Sequence, residues 1–297
     1  MNQRKKTILI FALALLFLTS VTLSGIFCYG GARKTDFSVK NLAPCLRYPF
    51  GTDWMGRNML ARTLTGLSMS IRIGLCTAGI SALLALTLGI MSAVLGKKVD
   101  AVISFLIDTI MGIPHILLLL LISYAFGKGF KGVVLGVALT HWPSLARVIR
   151  GEVMQLKESE YIQIAAKLGQ SRLQIAWRHM VVHLFPQFVV GLILMFPHAI
   201  LHEASITFLG FGLSSEQPAI GIILSESMRY LITGKWWLAM LPGLMLVLTV
   251  VLFDVAGKFL RRVLDPSPAP EKRNRPLTWH RAGARAVGEG GKRVRGR

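Results

Sequence analysis

Charge is what this chain has little of. Of its 297 residues, 16% are charged and 53% hydrophobic. An ordinary soluble domain carries roughly 25% charged residues, so the composition points to a membrane protein. Acidic residues are the scarcest charges, with 14 Asp and Glu against 34 Lys and Arg. The resulting formal charge of +20 has no nucleic-acid motif beside it, so a nucleic-acid partner is not expected. There are three cysteines, Cys28, Cys45 and Cys76, and no CxxC spacing, which removes the usual redox and zinc motifs. Cys28 and Cys45 fall in one polar segment, where either a bridge or two free thiols would fit. The sequence contains no GxxxxGK[ST] loop, so the chain does not cradle a nucleotide or hydrolyse ATP itself. His202-Glu203 is followed by Ala-Ser-Ile, so the HExxH pattern of a zinc protease is absent as well. No repeat of fixed period is visible.

What the chain does have is long apolar runs separated by basic residues. Ile8–Phe27 is long enough to cross the hydrocarbon core. It follows Arg4, Lys5 and Lys6 and is read as an uncleaved first span with its amino end inside. Cys28–Ala61 is a polar excursion to the outer side. The next spans are expected at Ser68–Gly96, Val99–Phe126 (broken by Gly112 and Pro114), Gly132–Met154, Leu184–Ile206 and Trp236–Leu260. Lys97 and Lys98, Arg147 and Arg150, and Arg261 and Arg262 all fall at ends that this count puts inside, as the positive-inside rule requires. Thr207–Lys235, rich in Gly and Ser, reads as a partly re-entrant outer hairpin. The expectation is therefore an all-α membrane protein with six crossings and both termini on the inner side. Pro266–Arg297 holds nine Lys or Arg and two Glu and is expected to be a disordered tail able to touch anionic lipid headgroups.

Between the fourth and fifth spans lies Glu158–Pro186, the longest stretch of mixed polarity among the apolar runs. It reads as two short helices broken near Gly169. Ile162, Ala165, Ala166 and Leu168 give the first an apolar stripe, and Ser171 is placed to cap the second. The stretch resembles the coupling loop of importer-type ABC transporter permeases. That loop has Glu-Ala-Ala, three residues, Gly, and later a Pro. Here Gln163-Ile164-Ala165 is followed by Gly169 and Pro186, so Gln-Ile replaces the leading Glu-Ala. Tyr161, Ala165, Leu168 and Gly169 keep the spacing. A second segment, Phe50-Gly51-Thr52-Asp53-Trp54-Met55-Gly56-Arg57-Asn58, resembles the Leu-Gly-Thr-Asp-x-x-Gly-Arg-Asp segment of the peptide and nickel branch. Asp53 and Arg57 stand four apart and are able to pair. Ser205–Leu213, SITFLGFGL, resembles the outer segment of nickel-type members.

The resemblance implies the type I importer permease fold, with an amino-terminal span and outer segment over 1–67, a core transmembrane domain over 68–265 and a coupling loop over 158–186. It implies an inner-membrane subunit for peptides, nickel or metal chelates. Its partners would be two ATPase subunits that hold the ATP and Mg, a second homologous permease, an external solute-binding protein and membrane lipid. Tyr161, Gln163, Ile164, Ala165, Leu168 and Gly169 would then couple to the ATPases, tilting the helices as the motor closes. Polar groups within spans are functional candidates by default. Met195, His198, His202 and Glu203 form the most prominent group. His198 and His202 share a helix face, and both are able to ligate a transition metal or simply to hydrogen-bond between helices. Asp108, His115, His141, Arg147 and Asp254 are secondary candidates. Two other classes compete with an importer subunit. A secondary transporter would show paired discontinuous helices in two related halves, which are not seen. A membrane-embedded enzyme would need a catalytic pair at one depth.

Overall fold

A computed structural model describes residues 3–264 of the chain. The tail expected to be disordered, 266–297, and the side chains of Arg4, Lys5 and Lys6 lie outside the described residues. Among the described residues the regular structure is helical, apart from one isolated bridge between Thr52 and Asn58. In chain order the helices are α1 (Gln3–Phe27), α2 (Tyr29–Arg33), α3 (Met59–Val94), α4 (Lys97–Gly112), α5 (His115–Ala125) and α6 (Phe130–Glu158). They continue with α7 (Glu160–Lys167), α8 (Arg172–Ile175), α9 (Val181–Phe208), α10 (Ile220–Leu231) and α11 (Trp237–Leu264).

Four helical stretches are long and apolar enough to cross a bilayer: Met59–Val94, Phe130–Glu158, Arg172–Phe208 and Trp237–Val263. The pair α4 and α5 qualifies together but is bent by 103°. The break expected at Gly112 and Pro114 in Val99–Phe126 is present, as a corner between two arms. Ile113 adopts an extended conformation (φ −88°, ψ 138°) immediately before Pro114. The proline ring crowds the preceding residue out of the helical region, and with Gly112 beside it nothing holds the helix straight. The apolar part of α1, Phe11–Phe27, is shorter than these spans.

The fifth span differs from expectation. The helix does not start near Leu184 after a loop proline. It runs unbroken from Arg172 through a π turn at Ala176–Met180 and through Pro186 and Pro197 to Phe208. Each proline removes one N–H and disturbs a single turn, while apolar helix formers on both sides carry the helix through.

α3 is the central post. Asn58 caps it, its side-chain oxygen accepting from the backbone N–H groups of Leu60 and Ala61. Its 36 residues rise ~54 Å, more than the roughly 30 Å hydrocarbon core. α6, α9 and α1 pack along it, and α11 lies against α9, α10 and α1. The small residues Ala78, Ala82 and Ala85 of α3 are fully buried in the same core as Trp142, Ala146 and Ile149 of α6 and Ile200 of α9. Small side chains let membrane helices approach closely, and dispersion between close-packed atoms then replaces the missing hydrophobic drive. α9 and α10 approach closely at Gly221, where a Cβ would sit 2.4 Å from the Ala204 carbonyl oxygen.

The polar segment before α3 folds as turns held by Asp53. Its Oδ1 accepts from the backbone N–H groups of Met55 and Arg57, each at 2.9 Å. Its Oδ2 takes Arg57 Nε at 2.7 Å and Arg62 Nη1 at 2.6 Å. Glu226 of α10 completes the network, at 2.9 Å from Arg62 and 3.3 Å from Arg57. The Asp53–Arg57 pair allowed by the sequence spacing is thus formed, and it is joined by Arg62 at the start of α3 and by Glu226 from distant α10. Gly56 (φ +73°) must be glycine on two counts, since its φ is left-handed and a Cβ would collide with the Asp36 carbonyl oxygen. Asp36 caps the short turn that follows it. The Ser38 hydroxyl and then the Ser38 backbone N–H donate to the Asp36 carboxylate and hold its pKa below the usual range. Cys28 and Cys45 are free thiols.

Candidate functional site

At the end of the bundle opposite the Asp53 network, α3, α4 and α6 are tied together by polar contacts. Arg150 donates to both oxygens of Asp100, at 2.5 and 2.7 Å, and Ser92 donates to Asp100 at 2.6 Å. Lys157 Nζ donates to the Ala93 carbonyl at 2.8 Å. From this tied end projects α7. Its inner face is Ile162 and Ala165, both buried. Its outer face is Tyr161, Ile164 and, just past the helix, Leu168, which is 76% exposed. Gln163 reaches back so that its amide donates to the Glu158 carbonyl at 3.1 Å.

The helix stops where the chain turns left-handed at Gly169 (φ +85°). The N–H of Gly169 donates to the Ala166 carbonyl, and that of Gln170 to the Ala165 carbonyl, so the last carbonyls are satisfied. No heavy atom lies within 4 Å of where a Gly169 Cβ would be, so its backbone conformation is the constraint there. α8 then begins with a reciprocal cap. The Gln174 N–H donates to Ser171 Oγ, and the Ser171 N–H donates to Gln174 Oε1. Ser171 therefore caps as its sequence position indicates. Leu173 and Trp177 follow, also exposed. Tyr161, Ile164, Leu168, Leu173 and Trp177 make an apolar surface at the polar end of the molecule.

The second cluster lies within the bundle. A cavity of about 730 Å³ opens between α4, α5, α6, α9 and α11, with His115, His141, His198, His202 and Met195 on its wall. Sequence spacing places His198 and His202 together on α9. The structure adds His115 from the first turn of α5 and His141 from the middle of α6, treated above as secondary. The rings of His115, His141 and His202 stand 4.4–4.9 Å apart by centroid and meet edge to face. No local periodicity reveals this, because the three come from different helices.

Glu203 is not part of that wall. It is fully buried in the packed interior, where the Thr207 hydroxyl donates to Oε1 at 3.0 Å and Oε2 has no partner. The other secondary candidates are held in ion pairs. Arg147 pairs with Asp108 at 2.8 Å, and Asp254 with Lys258 at 2.6 Å. Arg62 and Glu226, which close the Asp53 network, were not marked by the sequence. An arginine inside a 36-residue apolar helix was the available signal for Arg62.

The family described as the binding-protein-dependent transport system inner membrane component matches residues 85–269. Among curated proteins, an oligopeptide transport system permease protein of Bacillus subtilis is 30% identical over 257 residues, covering 85% of this chain and 84% of the relative. A dipeptide transport system permease protein of Alkalihalophilus pseudofirmus is 30% identical, covering 85% of this chain and 84% of its own length. The dipeptide transport system permease protein of Bacillus subtilis is 28% identical over 233 residues, covering 78% of this chain and 73% of the relative. Among solved structures, inward-facing MetNI methionine ABC transporter chains superpose with a TM-score of 0.58 at 17% identity, covering 70% of this chain and 98% of that one. At that identity the likeness speaks for the fold alone.

Proposed function

Since the chain belongs to the binding-protein-dependent transport system inner membrane component family, we propose that it is the permease subunit of an ABC importer for peptides. It is a multi-pass inner-membrane subunit and not an enzyme, with ATP hydrolysis on separate chains. The relatives' names favour di- or oligopeptide cargo over a free metal ion. The same reading gives the chain six crossings, with α1 and the bent α4–α5 pair counted beside the four long spans. Both termini then lie in the cytoplasm, on the side of Arg150, Lys157 and Arg172. Residues 68–265 form the transport core and 1–67 an accessory span with its outer segment. A second permease of like fold completes the path, two ATPase subunits carry ATP and Mg, and an external binding protein delivers solute.

The observation that carries this reading is the apolar outer face of α7. Tyr161, Ile164 and Leu168 are exposed at an end of the molecule where lipid is absent in this topology. A hydrophobic patch in water calls for a protein partner. Closure of ATPases gripping that patch would press on α7, and its buried face, Ile162 and Ala165, would pass the push into the core.

The test is Gly169→Val. A β-branched residue at φ +85° costs about 1–3 kcal/mol of backbone strain and would unseat the end of α7. We expect normal membrane insertion by cell fractionation and loss of labelled dipeptide uptake. Unchanged uptake would remove α7 as the coupling element.

A further inference from the structure

We infer that His115, His141 and His202 form a binding site for a borderline divalent transition-metal ion, such as Co²⁺, Ni²⁺, Cu²⁺ or Zn²⁺, on the wall of the α5–α6–α9 cavity. One ring nitrogen from each of the three lies within 4.8 Å of the others. At the centre of a triangle with that edge, an ion would be about 2.8 Å from each nitrogen, against roughly 2.0–2.1 Å for a metal–imidazole bond. Side-chain rotations of less than an ångström close the gap.

The hydrogen bonding points the same way. His141 Nδ1 lies 2.8 Å from the Val137 carbonyl, an acceptor only, so Nδ1 carries the proton. Its Nε2 is then a bare lone pair, and it is buried with no partner. A backbone carbonyl that fixes one ring nitrogen while the other faces a ligand is the usual second shell of a metal-bound histidine. His115 Nε2 is likewise buried and unpartnered. Two buried imidazole nitrogens without partners, on rings that line one cavity, are costly unless something binds them. His198, one turn before His202, and the Met195 thioether line the same cavity and offer further nitrogen and sulfur donors. No carboxylate lines it, which disfavours Mg²⁺ and Ca²⁺ and suits metals that prefer imidazole.

The site rests on these side chains alone. Its place on the transport path rests on the permease reading, under which the cavity would admit a peptide that carries a chelated metal.

The experiment uses the full chain purified from membranes in detergent with a histidine-free affinity tag and whatever subunits accompany it, stripped with chelator and titrated with Co²⁺. The expected result is one Co²⁺ per chain with visible d–d absorption, and Cu²⁺ electron paramagnetic resonance showing coupling to three nitrogens. His115→Ala, His141→Ala and His202→Ala should each weaken Co²⁺ binding at least tenfold, while His183→Ala leaves it unchanged. Absence of stoichiometric Co²⁺, or equal binding in all four variants, would overturn the site. Should the alanine variants fail to accumulate, the nitrogen coupling of the wild-type Cu²⁺ spectrum decides alone. Dipeptide uptake in the same cells is scored separately. Uptake without metal binding refutes the metal site only, and metal binding without uptake refutes the permease reading only.

Discussion

Asp53→Ala is the substitution whose cost the structure defines best. Asp53 and Arg62 are each 3% exposed, and the carboxylate takes four hydrogen bonds, two of them from guanidinium groups. Truncation leaves Arg62 buried with only Glu226 beside it, and the Glu226 side chain is 28% exposed and partly screened by solvent. Breaking a buried pair from one side typically costs 3–5 kcal/mol, because the other charge is stranded. The remaining Glu226 contact moves the expectation to the low end, about 3 kcal/mol. For a chain of this size that corresponds to a fall in apparent Tm of roughly 5 °C. Fluorescence-monitored thermal unfolding in detergent would read it. Arg62→Met in the Asp53→Ala background should recover part of the loss, because it removes the stranded cation. A fall of under 2 °C, or no recovery in the double variant, would refute the view that this network pins the outer segment to α3 and α10.

Two further outcomes follow from packing and topology. Gly221→Leu should lower the amount of folded protein and cost about 1–3 kcal/mol or more, because its Cβ would press on the Ala204 carbonyl at 2.4 Å. Gly151→Ala, with no atom within 4 Å of the added carbon, should behave as wild type in the same thermal scan. Exposed Cys45 should react with a membrane-impermeant maleimide in intact cells, and labelling only after lysis would invert the proposed orientation.

The apolar runs made most of the fold legible. α3, α6 and α11 lie where composition put them, the Ser171 cap followed from a serine just ahead of an apolar helical stretch, and the Asp53–Arg57 pair followed from a spacing of four residues. What stayed hidden depends on long-range contacts or on a local contest that pattern does not resolve. Both Pro114 and Pro186 read as interruptions in the sequence, the first within a span and the second in a loop, and only the first is one. Pro114 breaks its helix because Gly112 and an extended Ile113 precede it, whereas Pro186 is carried through by helix on both sides. The histidine cluster joins α5, α6 and α9, and spacing exposed only the two histidines that share α9. The Arg62–Glu226 contact spans 164 positions and leaves no local trace.

The unbroken helix from Arg172 to Phe208 has a mechanical consequence. Its near end stands beside the exposed aromatic and aliphatic surface, and His202 rides on its far half. A torque applied at the near end has two outlets: the whole rod rolls, carrying the imidazole round the cavity wall, or it flexes at Pro186 and Pro197. In the proposed topology, the stiffness of those two joints would set how much of a stroke applied at α7 reaches the histidine-lined cavity and how much is dissipated on the way.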